Sequence, residues 1–336
     1  RGAQRRIDQK RRASALEGTP IPQPERTLLG HLPYALRGEN GCAYNALVKL
    51  QNQLGNIFQL SVLGDDWICV ADLDSIYKIL VTERDKFPKA GAAIEEMKSV
   101  IGESGILVSE GKDWLRQRRM CIPAFRHEQM QNMVEAMNSV ARRTLEQVSK
   151  SASIDALELL NRAAFAIICQ AGFNYEVDAI NNSSHDPMLE AQELAAIELV
   201  KRIQRTRYWK KLPLPSNFRL ARLLVEQQQL LQKIISEQSE HETNARILLN
   251  DFIRARDDKG ERLSETELLH MCQQLMAAGH ETTGAAMQWT LYFLSQHPDW
   301  LYKIRAEADA ILGERLYLQF EDIKRLQCFE QVFNEV

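Results

Sequence analysis

Hydrophobic and polar positions alternate between Asn56 and Ala71. Phe58, Leu60 and Val62 are spaced by polar or small residues, Gly64-Asp65-Asp66 carries turn chemistry, and Trp67-Ile68-Cys69-Val70 returns. A period of two around such a turn predicts a β-hairpin. From Asp74 the spacing of Ile76, Ile79 and Leu80 becomes helical, and helical patterns dominate the rest of the chain. Leu220, Leu223, Leu224, Leu230, Leu231, Ile234 and Ile235 form one apolar stripe. Leu248, Leu249, Phe252 and Ile253 form a second, before the turn Asp257-Asp258-Lys259-Gly260. No internal repeat or low-complexity tract suggests a solenoid. The pattern predicts a fold that is mainly α with a small β-sheet (α+β), with residues 1–23 as a basic, irregular lead-in; at this length the rest can form one large domain or two ordinary ones.

The longest helical pattern starts at Ser264, which with Glu267 fits a capping box, and runs to His297-Pro298. Ser264 to Gln296 would span roughly 50 Å at 1.5 Å per residue. Gly279 and Gly284 sit inside it, each costing about 1 kcal/mol relative to Ala. A long buried helix with glycines and polar groups at mid-length breaks local rules, and such breaks tend to mark function.

Composition narrows the functional classes. The 336 residues hold 42 Lys+Arg against 45 Asp+Glu, a formal net charge of −3, which gives no footing for a nucleic-acid partner. The six cysteines include no C-x-x-C pair, so a disulfide scaffold or zinc cluster is not expected, and an intracellular, reducing location is. No apolar run approaches the roughly 18 residues of a membrane span. The expected location is therefore cytoplasmic or membrane-associated. Six of the first 12 residues are basic, which suits a solvated tail or peripheral contact with an anionic membrane. The chain starts at Arg1 and stops at Val336 inside a helical pattern, and it reads as a fragment.

Several catalytic motifs fail on inspection. His280-Glu281 lacks the second His of H-E-x-x-H, because position 284 is Gly. Gly105 to Gly111-Lys112 has one residue too many for a phosphate loop, and Asp113 stands where Ser or Thr is required. No G-x-G-x-x-G and no G-x-S-x-G occurs.

Two constellations remain. Ala278-Gly279-His280-Glu281-Thr282-Thr283 lies near the middle of the long helix. Thr282 can hydrogen-bond back to the carbonyl of Ala278, loosening the helix. Gly279 lets a flat partner approach the backbone, and Glu281 places a titratable group beside the hydroxyl. A carboxylate and an alcohol there suit proton relay through water; two Thr and a Glu on a solvated face are the plain alternative. The second constellation is Trp114-Leu115-Arg116-Gln117-Arg118. Trp114 and Arg118 share a helix face at i and i+4, where an indole N–H beside a guanidinium can clamp a carboxylate. A core Trp with a snorkelling Arg is the alternative.

In this order and at this distance the two motifs resemble the cytochrome P450 family of haem-thiolate monooxygenases. The likeness extends to Leu29-Gly30-His31-Leu32, to Gly105-Ile106-Leu107-Val108, to Gln296-His297-Pro298-Asp299-Trp300, and to the tail from Leu326 to Glu335, which looks like the start of the family's E-x-x-R helix. The resemblance implies that residues 24–336 form a single domain of cytochrome P450 fold, C-terminally truncated at the start of the E-x-x-R helix, with haem (iron protoporphyrin) as cofactor. Trp114 and Arg118 would hold a haem propionate, Ala278 and Gly279 would pass over the distal haem face, and Glu281 and Thr282 would govern proton delivery. Glu335 would open E-x-x-R. The implied reaction inserts one oxygen atom of O2 into an apolar substrate, with electrons from a reductase or ferredoxin that Arg116, Arg119 and Arg126 could face. None of the six cysteines lies in the family's ligand context, so the metal has no ligand here and the proximal Cys is expected beyond Val336; residues 1–336 alone are expected to be inactive. A peroxide-rearranging haem enzyme of the same fold and a non-catalytic helical interaction protein are the competing readings.

Overall fold

The computed structural model describes residues 21–24, 31, 43–62, 65–89, 91–177, 180, 186–204, 215–240 and 247–336. The basic N-terminal segment and most of the proline-rich lead-in lie outside the described residues. The chain divides into two compact units, residues 1–88 and 89–336.

In the first unit, α1 (Ala43–Leu54) precedes an antiparallel pair, β1 (Ile57–Val62) and β2 (Asp65–Val70). Phe58 faces Cys69 and Leu60 faces Trp67 in the register that the alternation requires. Phe58, Leu60 and Val62 are buried against Leu50, forming the core of this unit. Asp72 caps α2 (Leu73–Tyr77) by accepting from the Ser75 N–H at 2.9 Å.

The second unit has helices and no strand among its described residues. Its first elements are α3 (Ala92–Ile101), α4 (Gly111–Cys121), α5 (His127–Lys150) and α6 (Ala156–Ile167), the last running into a π turn at Ile168–Gly172. Then come α7 (Pro187–Gln204), α8 (Pro215–Glu240), α9 (Leu248–Arg254), α10 (Glu265–Gln296), α11 (Pro298–Leu312) and α12 (Gln327–Glu335). The two apolar stripes of the sequence fall on α8 and α9. Their buried faces join Phe165, Cys169 and Phe173 and the Met271, Cys272 and Met276 face of α10 in one core. Each large apolar side chain fully buried there contributes about 1.5–3 kcal/mol. Among the described residues no helix is long and apolar enough to cross a membrane.

The long helix starts where its cap requires. Ser264 accepts from the Glu267 N–H at 3.2 Å, and the Glu267 carboxylate accepts from the Ser264 N–H at 2.8 Å. Its glycines serve the packing along α6. A Cβ on Gly284 would lie 2.1 Å from Asn161 Oδ1, and one on Gly279 would lie 3.2 Å from Ile168 Cδ1. Gln288 reinforces the seam, donating to Asn161 Oδ1 at 3.1 Å and to the Leu157 carbonyl at 3.0 Å.

Candidate functional site

The polar face of α4 is set by its neighbours. Arg116 donates to Asp257 at 2.7 Å, to Glu267 at 2.8 Å and to the Arg262 carbonyl at 2.8 Å. The hydrogen bond from Arg116 and those from the Glu261 and Lys259 backbone hold the Asp257 carboxyl down at about 2. Gln117, buried, donates to the same Glu267 carboxylate at 3.3 Å, and Cys121 lies 3.6 Å from Met271. Three successive contacts thus fasten α4 to the N-terminal turns of α10. Arg116 is consequently a strut between helices and not a free docking cation, contrary to the sequence expectation. Arg119 pairs with Asp258 at 3.0 Å on the exposed surface, and Arg126 is exposed as well.

Trp114 and Arg118 border this seam. With 100° steps per residue, Gln117, Cys121, Trp114 and Arg118 fall within about 100° of one another around α4. The guanidinium carbon of Arg118 stands 5.3 Å from the centre of the Trp114 ring system, a cation–π arrangement that orders both groups. Trp114 is half-buried and Arg118 is exposed, and among the described residues no carboxylate pairs with Arg118.

On α10 the same construction places Glu267, Met271, Gln274, Ala278 and Thr282 within about 80° of one another. The stripe that receives α4 at Glu267 and Met271 therefore continues to Ala278 and Thr282, roughly 16 Å further along for the eleven residues from Met271. The opposite side, with His280 and Gly284, packs on α6. The Thr282 hydroxyl donates to the Ala278 carbonyl at 2.6 Å, the back-bond that the sequence predicts. The helix nevertheless stays regular, with no widened turn between Glu265 and Gln296. Its peptide hydrogen bonds persist because packing along α6 holds the backbone on the far side. Ala278 and Gly279 are half-buried, while Glu281, Thr282 and Thr283 are exposed. Partial desolvation raises the Glu281 carboxyl above the usual carboxylate range. The open side of Gly279 is taken by Ile168, so its small size serves helix packing.

His280, between the motif's Gly and Glu, enters the sequence reading only through the rejected H-E-x-x-H match. It is 1% exposed, neither ring nitrogen has a hydrogen-bond partner among the described residues, and its ring meets Phe165 edge-on at 5.3 Å. Burial holds its pKa down to about 4, against the ordinary 6.5. Between those values the unfolded chain takes up a proton that the folded chain refuses, so stability is lost as pH falls from 6.5 to 4. The loss attributable to this group is about 3 kcal/mol from the two and a half pH units involved. Denaturant unfolding of the native protein and a His280→Leu variant at pH 7 and pH 4 checks this: the variant is expected to lose less stability on acidification, and equal losses would exclude the effect.

Gln274 and His270 also escaped the sequence reading. The signal that could have found them is a Gln273-Gln274 pair inside the apolar run from Leu268 to Met276, with Gly102 and Gly105 far upstream as unexplained partners.

Residues 20–336 match the family model for Cytochrome P450, and the chain belongs to that family. It is 27% identical over 301 residues to Cytochrome P450 709B1 of Arabidopsis thaliana, covering 85% of this chain and 57% of that protein. It is 23% identical over 328 residues to the Bifunctional cytochrome P450/NADPH–P450 reductase 2 of Bacillus subtilis (strain 168), covering 95% of this chain and 30% of that protein. The crystal structure of the cytochrome P450DA heme domain superposes with a TM-score of 0.83 at 23% identity, over 94% of this chain and 69% of that one, so the fold is the same. The chain thus spans little more than half the length of the Arabidopsis relative.

Proposed function

We propose that the complete protein is a haem-dependent monooxygenase that inserts one oxygen atom of O2 into an apolar organic substrate. What supports this reading is that α4, which carries the Trp114–Arg118 pair, is fastened through Arg116, Gln117 and Cys121 to the same helix that carries the Ala278–Thr282 back-bond.

The residues present fit a haem. Arg118 is a cation held over an indole with no described carboxylate partner, so it and Trp114 would hold a propionate by charge-assisted hydrogen bonds. Ala278 offers a methyl-sized apolar surface to the macrocycle, with Gly279 behind it keeping the backbone close to α6. When bound, haem supplies the activation of O2. Thr282 already donates its hydroxyl proton to Ala278, so the remaining lone pairs of Oγ1 accept from a water and hold it in place. Glu281, whose carboxyl is raised by partial desolvation, would exchange protons with this water. Burial pushes the Cys121 thiol up to about 11 and also raises Cys69, Cys169 and Cys272, the reverse of what a thiolate ligand needs. None of the six cysteines lies in the family's ligand context, so this reading takes the proximal thiolate from outside residues 1–336. Electrons would come from a redox partner, and the name of the Bacillus subtilis relative supports a reductase.

The test is expression of the complete protein and of residues 1–336 with haem. The complete protein is expected to give the reduced carbon monoxide absorption of thiolate-ligated haem, and residues 1–336 alone are not. That absorption from residues 1–336, or its absence from the complete protein, would overturn the proposal.

A further inference from the structure

The segment between α3 and α4 is clasped to the long helix by side chains that the motifs do not include. Gln274 is fully buried, and both ends of its amide are engaged: Oε1 accepts from the Leu107 N–H at 2.9 Å, and Nε2 donates to the Ser104 carbonyl at 2.8 Å and the Ile101 carbonyl at 3.3 Å. One turn earlier, His270 Nδ1 accepts from the Ser104 N–H at 3.2 Å and lies 2.8 Å from the Ser104 hydroxyl.

The segment's glycines are shaped to these two side chains. Gly105 (φ +119°) could not carry a Cβ, which would fall 2.6 Å from the Gln274 amide, and a Cβ on Gly102 (φ +95°) would fall 2.3 Å from the His270 ring. The far side of the segment is held by Lys89, whose ammonium donates to the carbonyls of Leu107 and Ser109 at 3.0 and 3.1 Å.

Position gives the clasp a consequence. Gln274 lies on the α10 stripe between Met271, where α4 docks, and Ala278. The segment it holds packs Leu107 and Val108 with Ala277 in one apolar cluster, joined by Ala195 of α7 and Leu220 of α8. An apolar wall against Ala277, the residue preceding Ala278, is thereby fixed by a polar, directional device. Three hydrogen bonds specify its register more sharply than apolar packing alone could.

We propose that Gln274 is a specificity-determining positioning residue. By clasping Ile101, Ser104 and Leu107 it sets how close the Leu107–Val108 wall stands to Ala278, and so the size of apolar molecule admitted there. The inference rests on the monooxygenase reading for its consequence, while the clasp itself does not.

The experiment uses the complete, haem-loaded protein with Gln274→Leu, which keeps bulk and removes all three bonds. A second variant, Gln274→Glu, keeps the acceptor for Leu107 and removes both donors. Hydrogen exchange reports the clasp: the Leu107 amide is expected to lose protection at least tenfold in Gln274→Leu, with the α5 amides unchanged. Spectral titration with imidazole and with bulky 4-phenylimidazole reports the wall. The ratio of the two affinities is expected to shift at least fivefold in Gln274→Leu and less in Gln274→Glu, with the reduced carbon monoxide spectrum retained. An unchanged ratio with that spectrum retained in both variants overturns the proposal, as does undiminished Leu107 protection. Loss of the thiolate-haem spectrum from the unsubstituted protein would instead overturn the monooxygenase reading, leaving hydrogen exchange to judge the clasp.

Discussion

Thr282→Ala in the complete, haem-loaded protein is expected to lower product formed per reducing equivalent by roughly tenfold or more, with reductant still consumed. The hydroxyl is the only group that Thr adds to the exposed stripe beyond a methyl, and its donor side is already engaged by Ala278 at 2.6 Å. What the substitution removes is therefore an acceptor that orients water next to Glu281, together with one local back-bond. The helix is held by its opposite face, where α6 meets Gly279 and Gly284, so global stability should move by no more than about 0.5 kcal/mol. Thr282→Ser keeps the oxygen and should retain most of the coupling. Comparing oxygen consumed with product formed in the three proteins reads the effect directly, and unchanged coupling in the Ala variant would remove Thr282 from proton handling.

Arg118→Ala is expected to weaken haem retention by roughly 10- to 100-fold, the range of one charge-assisted hydrogen bond worth about 1.5–3 kcal/mol. Arg118 is exposed and without a described ionic partner, so little folding stability should be lost with it. Trp114→Ala should act in the same direction and also loosen Arg118, because the indole is the surface on which the guanidinium rests at 5.3 Å. Arg118→Lys keeps the charge but not the planar fork, and should recover only part of the loss. Arg119→Ala is the control: it breaks a surface pair with Asp258 and should leave haem in place. Transfer of haem to an apo-globin acceptor measures all four. Equal transfer rates for the Arg118 and Arg119 variants would contradict the assignment.

Much of the fold was legible because it rests on periodicities that survive into three dimensions. The Phe58–Leu60–Val62 alternation, the Ser264–Glu267 box and the stop at His297-Pro298 each depend on near neighbours, and each lies where the sequence puts it. The Thr282 back-bond is equally local. What sequence could not supply were partners more than 100 residues away. Arg116 offered a surface cation by composition, yet Asp257 and Glu267 convert it into a strut. Gly279 suggested room for a flat ligand, yet Ile168 fills the room. Gln274 and His270 gave no motif, since their meaning lies in the carbonyls and amides of residues 101–107.

The most direct test of the shared α10 stripe is the electron density of the complete, haem-loaded protein. The expected result is one macrocycle with a propionate on the Trp114 indole and Arg118 guanidinium and with Ala278 against its face. A macrocycle whose propionates contact neither side chain, or whose faces both lie away from Ala278 and Thr282, would contradict it.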